Sequence, residues 1–165
     1  MYYTYLDTPI GHFLLAGDNR SLSTTSFTTG KQARPPHLDW IHDRAPLGFA
    51  IDQLEQYFAG ERTCFELPLA ITGTHFQQQV WRQLQAIPFG ETRSYGDIAR
   101  ALDKPGASRA VGTANAANIL PLIIPCHRVI GADGTLTGFG GGLETKRWLL
   151  DFEGALPPEQ GTLFG

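Results

Sequence analysis

The sequence predicts an α+β fold in two parts. A small N-terminal antiparallel β-sheet with a helix comes first, and a mainly helical, winged-helix-like domain with a helix-turn-helix follows. Short β-prone runs separated by turn residues occupy the first 27 residues. Apolar residues recur at helical spacing further along the chain, where two short helical segments are joined by a tight Pro-Gly turn. We therefore predict an α+β domain at residues 1–72 and a second domain at residues 73–165.

The first domain begins with β-prone runs at residues 2–6, 12–16 and 22–27. Turn residues at 8–11 and 17–20 separate these runs, which is typical of an antiparallel meander. A helix is expected at residues 46–58, because its apolar residues share one face and Gly60 follows its end. A further strand is expected at residues 64–69.

The second domain begins with two helices that carry start signals. Thr74 is followed three residues later by Gln77, which is the pattern of a capping box. Ser94 and Asp97 have the same spacing at the start of the next helix. The apolar face of the first of these helices consists of Phe76, Val80, Trp81 and Leu84.

A third helix of mostly small residues is predicted at 107–117, after a Lys-Pro-Gly break at 104–106. It forms a helix-turn-helix with the helix before it, at about residues 94–118. A last helix is expected at 144–152, with Gly154 ending it.

Composition limits the possible functions. The net charge is −3, so the protein does not rely on many phosphate contacts spread over its surface. The acidic excess lies within the first 72 residues, which makes the second domain the better surface for a polyanion. No signal peptide and no run of membrane-spanning length is present, so no membrane partner is expected.

The chain has two cysteines, Cys64 and Cys126, which is too few for a disulfide framework and matches no zinc motif. A reducing, cytosolic setting is the simplest inference. The five histidines form no ligand pair at helical spacing. We therefore expect no metal and no cofactor.

Residues 123–130 are the most informative segment, because Cys126 stands directly before His127 and Arg128 inside an apolar run. The thiolate is the nucleophilic form of cysteine, and an imidazole and a guanidinium beside it would both favour that anion. A buried structural cysteine would explain the apolar flanks but not the two basic side chains. These residues favour a reactive cysteine and leave the structural alternative open.

The order Pro-Cys-His-Arg-Val at residues 125–129 resembles the O6-alkylguanine-DNA alkyltransferases, also called methylated-DNA–protein-cysteine methyltransferases. The resemblance extends over about residues 77–153. It implies DNA repair by direct, irreversible, stoichiometric transfer of a methyl or other alkyl group from O6-alkylguanine, and from O4-methylthymine, to Cys126. The implied partner is double-stranded DNA, bound through the minor groove with the damaged base flipped out. It also implies a monomer that could bind DNA cooperatively, in the bacterial cytosol or nucleoid.

The resemblance gives each catalytic residue a role. Cys126 is the nucleophile and alkyl acceptor, and Asn118 braces the turn that holds it. His127 is the base and acts through a bridging water, because neighbours in an extended segment point to opposite sides. Glu153 orients His127 and favours its charged form.

The resemblance also implies DNA contacts by Tyr95, Ala107, Ser108, Arg109 and Arg128. The DNA minor groove is about 6 Å wide, so only a helix with small side chains can enter it. Arg109 would fill the gap left by the flipped base, and Tyr95 would push that base out.

The implied substrate pocket contains Val129, Leu136, Phe139 and Gly140. Phe139 would stack on the purine, and the backbone N–H of Gly140 would donate to O6. Two other functions stay open on the residues alone. One is a thiol hydrolase with a Cys-His pair, and the other is a non-catalytic, lesion-sensing helix-turn-helix protein.

Overall fold

The computed structural model describes residues 1–30, 33–139 and 141–156. Its N-terminal sheet has the strand order β3-β2-β1-β4. The strands are β1 (Tyr2–Thr8), β2 (Gly11–Gly17), β3 (Leu22–Phe27) and β4 (Ile41–His42). Strands β1, β2 and β3 form the predicted antiparallel meander, with Thr8 opposite Gly11 at the first turn.

The sheet is mixed, because β1 also pairs in parallel with the short β4. The α+β class is confirmed, while the prediction of a purely antiparallel sheet is corrected by this pairing. Residues 64–69 form no strand and contribute a single bridge between Leu69 and Leu22. Pro68 has no N–H to donate to a ladder, which limits pairing there.

The α-helices are α1 (Gly48–Phe58), α2 (His75–Gln85), α3 (Tyr95–Ala101), α4 (Ser108–Ala116) and α5 (Leu143–Phe152). The expected start of α1 at residue 46 is instead a 3₁₀ turn, Ala45–Leu47. Both predicted capping boxes are confirmed: Thr74 with Gln77 begins α2, and Ser94 with Asp97 begins α3.

Helices α3 and α4 form the predicted helix-turn-helix and pack against α2. Nε1 of Trp81 in α2 donates a 2.9 Å hydrogen bond to the carbonyl oxygen of Ala114 in α4. Two short parallel strands, β5 (Arg93–Ser94) and β6 (Val129–Ile130), connect the entry of α3 to the segment that follows Cys126. This pairing places the cysteine next to the helix-turn-helix.

One continuous apolar core joins the sheet and the later helices. It includes Phe13, Leu54 and Tyr57 from the first part of the chain and Trp81 and Leu149 from the second. The division into domains at residues 72 and 73 stays a prediction. Among the described residues, no helix is both long and apolar enough to span a membrane.

Candidate active site

Cys126 is the first residue of a 3₁₀ turn, Cys126–Arg128, that leads into β6. Its side chain is 5% exposed and belongs to the apolar core. Burial raises the pKa of the Cys126 thiol, and a hydrogen bond with Asn118 and the charge of Lys146 oppose that effect without reversing it. The thiol is therefore protonated at neutral pH and must lose its proton when it attacks.

Asn118 holds the main chain that precedes the cysteine. Its Nδ2 donates a 2.8 Å hydrogen bond to the carbonyl oxygen of Ile124, and its Oδ1 accepts one of 2.9 Å from the N–H of Leu120. Between these two residues, Leu122 has a φ of 76°, a left-handed conformation that is uncommon for a residue with a side chain. The two bonds from Asn118 hold this turn closed.

His127 is fully buried beside Glu153, with its Nε2 at 2.9 Å from Oε2 of the carboxylate. A carboxylate oxygen only accepts, so Nε2 carries the proton and the neutral ring has its lone pair on Nδ1. In the described part of the chain, Nδ1 has no hydrogen-bond partner. The ring can therefore accept a proton at Nδ1.

Burial lowers the pKa of His127 and outweighs the hydrogen bond and charge of Glu153, which act to raise it. His127 is therefore neutral at pH 7. Glu153 thus favours the charged form of His127, as predicted, but the cost of desolvating the imidazolium is larger. The 3₁₀ turn replaces the extended segment that we expected at the cysteine.

Glu153 follows the last residue of α5 and accepts four hydrogen bonds. Nε of Arg128 donates to Oε1 at 2.8 Å, and Nη2 of Arg128 donates to Oε2 at 2.9 Å. Oε2 also accepts from Nε2 of His127 and, at 2.7 Å, from the hydroxyl of Tyr57. Burial by itself would raise the pKa of Glu153, but the hydrogen bonds from His127 and Arg128 lower it to about 2. The group is therefore a carboxylate at neutral pH.

Arg128 is 7% exposed, and its guanidinium forms its hydrogen bonds inside the protein. Besides its bonds to Glu153, its Nη1 donates to the carbonyl oxygen of Ile87 at 2.8 Å. The predictions that Arg128 contacts DNA and that it favours the thiolate are corrected, because its guanidinium is buried and hydrogen-bonded to the Glu153 carboxylate.

Lys146 is a fully buried cation whose charge favours the thiolate of Cys126, and it was not predicted from the sequence. Its Nζ donates to the carbonyl oxygens of Val129 and Thr137. Burial lowers the pKa of Lys146 to about 8, and the thiolate form of Cys126 would raise it. The sequence contained a signal for it, because Lys146 has helical spacing to Leu149 and Leu150 of α5 and to Glu153 just after that helix, and all four side chains are buried.

A cavity of about 20 Å³ lies beside Cys126, between the sheet and the later helices. Its lining includes Thr25, Phe27, Arg34, Asn115, Asn118 and Phe139. Arg34, from the first part of the chain, donates through Nη2 to the carbonyl oxygen of Asn118 at 3.2 Å. Asn115 is buried, and its Oδ1 has no hydrogen-bond partner among the described residues. Neither Arg34 nor Asn115 was predicted from the sequence.

The predicted pocket residues occupy different positions. Phe139 lines the cavity and packs against Phe27, with 5.4 Å between ring centroids. Val129 is fully buried and Leu136 is half-buried, and neither is part of the described lining. Gly140 lies outside the described residues.

The helix-turn-helix presents a narrow exposed face on α4. Its members are Arg109, Ala110, Thr113 and Ala116. Arg109 is the long side chain of this face. Ala107 and Ser108, at the start of the helix, are half-buried. The structure therefore gathers Cys126 and its partners in the interior and places Arg109 on a separate surface.

Tyr95 is the first residue of α3 and lies between these two regions. Its hydroxyl is 3.1 Å from Oγ1 of Thr137, whose carbonyl oxygen accepts from Lys146. A methyl group added at Gly112 of α4 would lie 3.8 Å from the Tyr95 ring. Tyr95 thus contacts both the helix-turn-helix and the segment beside the buried site.

Two family models match this chain. Residues 1–71 match the 6-O-methylguanine DNA methyltransferase, ribonuclease-like domain. Residues 75–155 match the 6-O-methylguanine DNA methyltransferase, DNA binding domain.

Relatives match over nearly the whole chain. A methylated-DNA–protein-cysteine methyltransferase of Mycobacterium tuberculosis is 48% identical over 164 residues, covering 99% of each protein. A protein of the same name from Methanosarcina acetivorans is 48% identical over 155 residues, covering 94% of this chain and 99% of the relative. The crystal structure of M. tuberculosis OGT in complex with DNA matches 100% of both chains, with 47% identity and a TM-score of 0.89. This chain belongs to the 6-O-methylguanine DNA methyltransferase family.

Proposed function

We propose that this protein repairs DNA by moving a methyl or other alkyl group from O6 of guanine to Sγ of Cys126, once per molecule. One observation carries the proposal: a buried thiol is followed in the chain by a neutral imidazole, His127. Glu153 holds Nε2 of that ring, and Nδ1 has no partner in the described structure. Membership of the family favours alkyl transfer over both alternatives.

The reaction begins with loss of the thiol proton. That proton moves from Sγ of Cys126 to Nδ1 of His127, directly or through one water molecule. The thiolate then attacks the alkyl carbon in line with the departing oxygen. The S–C bond forms while the C–O6 bond breaks, and the electron pair of the broken bond stays on guanine. Return of one proton to the base leaves unmodified guanine.

The surrounding charges favour this step. When His127 gains a proton, the resulting imidazolium lies 2.9 Å from the Glu153 carboxylate. The positive charge of the Lys146 ammonium stabilises the thiolate as it forms. The product is a thioether, which water does not hydrolyse, so the cysteine is not regenerated and each molecule acts once.

The DNA-binding surface in this proposal is the exposed face of α4. Its small side chains, with Ala107 and Ser108 at its start, allow the helix to enter the minor groove. Arg109 occupies the space left by the flipped base. Tyr95 pushes the base out, and Phe139 contacts its ring inside the protein.

The same chemistry extends to O4-methylthymine, whose alkyl group is also bonded to an exocyclic oxygen. We place the protein in the bacterial cytosol, at the nucleoid, where thiols stay reduced and DNA is present. It acts as a monomer.

The mass of the intact protein tests the proposal after incubation with a duplex carrying one O6-methylguanine. We expect a gain of one CH₂ unit on the Cys126 peptide and one repaired base per protein molecule. Cys126→Ser should abolish the gain, while Cys64→Ser, at the exposed cysteine, should keep it. Multiple turnover of an ester without the mass gain would indicate a thiol hydrolase. Stable binding without loss of the methyl group would indicate a lesion sensor. Either result contradicts the proposal.

A further inference from the structure

Tyr57 is a buried phenol on α1 that contacts the carboxylate of the active site. Its hydroxyl donates a 2.7 Å hydrogen bond to Oε2 of Glu153, and its side chain is 1% exposed. Burial and the negative charge of Glu153 raise the pKa of Tyr57, so the phenol keeps its proton. The contact joins the N-terminal part of the chain to the end of α5.

This hydrogen bond ends on the oxygen that also holds the histidine. Oε2 of Glu153 accepts from the Tyr57 hydroxyl, from Nε2 of His127 and from Nη2 of Arg128. Each donor stabilises the carboxylate and draws electron density from the shared oxygen, which makes that oxygen a weaker acceptor for the other donors. The phenol therefore reduces the attraction between Glu153 and a protonated His127.

The Tyr57 ring is fixed independently of its hydroxyl. Aromatic side chains surround it, with centroid distances between 5.0 and 6.2 Å: Phe58, Phe65, Phe89 and Phe152. Loss of the hydroxyl alone leaves these contacts in place. Oε2 of Glu153 then keeps two donors, so no buried polar atom is left unpaired.

We infer that Tyr57 is a positioning residue for the alkyl transfer, because its hydroxyl sets how strongly Glu153 holds the proton-accepting His127. This inference rests on the proposed function of the same site. It gives the N-terminal part of the chain a role in proton transfer at Cys126, through one hydrogen bond.

Other charged groups also act on His127. Glu153 favours the imidazolium, while Arg128 and Lys146 disfavour it. Cys126 precedes it in the chain and donates the proton in the proposed reaction. Replacement of Tyr57 by phenylalanine changes none of these four groups, so a change in His127 titration would report the phenol.

The test is Tyr57→Phe with two readouts. The first is the pKa of the His127 imidazole, followed by NMR in the unreacted protein and assigned by the loss of its signals in His127→Gln. The second is the pH dependence of the single-turnover transfer rate. Without the phenol, Glu153 holds the imidazolium more strongly, so the midpoint of the NMR titration and the midpoint of the pH–rate profile should each move up by about one pH unit. At a pH below the midpoints of both proteins, the transfer rate of the variant should be about tenfold lower than that of the wild type, because more of its His127 is already protonated.

Tyr3→Phe is the matched control, since Tyr3 is a phenol of the N-terminal sheet that stacks on His42. It should leave both midpoints unchanged. A folded Tyr57→Phe protein with an unchanged His127 pKa would overturn the inference, whatever its melting temperature. If that variant does not fold, replacement of Tyr57 by 3-fluorotyrosine decides the question. Its more acidic hydroxyl donates more strongly and should lower the His127 pKa, and an unchanged value would again overturn the inference.

The NMR titration needs no DNA and no reaction. A wild-type protein that transfers no methyl group would count against the proposed function alone. The effect of the phenol on His127 would still be decided by the titration.

Discussion

Lys146 places a buried ammonium group against the carbonyl oxygen of Val129, the residue that ends the turn begun by Cys126. This contact fixes a positive charge close to the sulfur without any anionic side chain as its hydrogen-bond partner among the described contacts. The charge lowers the cost of forming the thiolate in an apolar site.

Lys146→Met should slow the reaction of Cys126 with iodoacetamide. Loss of the charge raises the thiol pKa further, and we expect a decrease in rate of about tenfold, which corresponds to one pKa unit. Mass spectrometry of the Cys126 peptide over time measures this rate. Lys104→Met is the control, since Lys104 is exposed and lies over the Phe76 ring. Equal rates in the two variants would contradict the role assigned to Lys146.

Ionised Glu153 should stabilise the protein by about 3 kcal/mol at neutral pH, because its pKa falls from 4.5 to about 2 on folding. A carboxyl group with a lowered pKa gives its full stabilisation above pH 4.5 and loses it as the pH falls towards 2. Urea unfolding of the wild type should show this loss between those two values.

Glu153→Gln should remove that pH dependence. It should also lower the free energy of unfolding at neutral pH by about 3 kcal/mol or more, because Arg128 becomes a buried charge without its carboxylate. Glu144→Gln, at an exposed position in the first turn of α5, should change neither property. If Glu153→Gln lost stability between pH 4.5 and 2 as steeply as the wild type, the pH dependence could not be assigned to Glu153.

Asn118→Ala should destabilise the turn that carries the cysteine. It leaves the carbonyl oxygen of Ile124 and the N–H of Leu120 without their side-chain partner, which costs about 1–3 kcal/mol. Thermal unfolding measures the loss, and the transfer rate should fall with it because the sulfur is less well positioned. Asn19→Ala, in the exposed turn before β3, serves as the control. Full activity and full stability in Asn118→Ala would be incompatible with a bracing role.

Arg109→Ala should impair repair of duplex DNA more than repair of a single strand. In a single strand no base pair has to be broken when the damaged base leaves the stack, so the arginine that fills the vacated space matters less there. Single-turnover rates on the two substrates measure the difference. Arg20→Ala, in the turn between β2 and β3, is the control for loss of one positive charge. An equal decrease on both substrates would place Arg109 outside the base-flipping step.

DNA binding should weaken only gently with added salt. The narrow α4 face carries one arginine, and the whole chain has a net charge of −3. We expect release of about two to four ions on binding, read from the slope of log affinity against log salt concentration. A much steeper slope in a fluorescence titration would mean that the contact surface is larger than this face.

Much of the fold could be predicted from local sequence signals. The capping boxes at Thr74 and Ser94 define where α2 and α3 begin, because each depends on residues three positions apart. The parallel pairing of β4 with β1 could not be predicted in this way. Strand β4 has two residues, and its partner lies almost forty residues earlier in the chain.

The site was predictable where chemistry and motif coincide, at Cys126 and His127. Their protonation was not, because it depends on burial that neighbouring residues in the chain do not reveal. The partner of Arg128 also depends on the fold, since Glu153 reaches it from 25 residues further on. Tyr57 meets the same carboxylate across 96 residues.

The acceptor sulfur is part of the apolar core, and the adjoining space measures about 20 Å³. Each repair event therefore leaves its methyl group permanently inside the folded molecule, where extra volume strains the packing. The alkylated protein should consequently melt at a lower temperature than the unreacted protein, and larger alkyl groups should increase this difference. The alkylated protein would thus unfold more often and be cleaved faster by proteases than the unreacted protein. Calorimetry on both forms measures the difference in melting temperature, and identical melting curves would contradict this expectation.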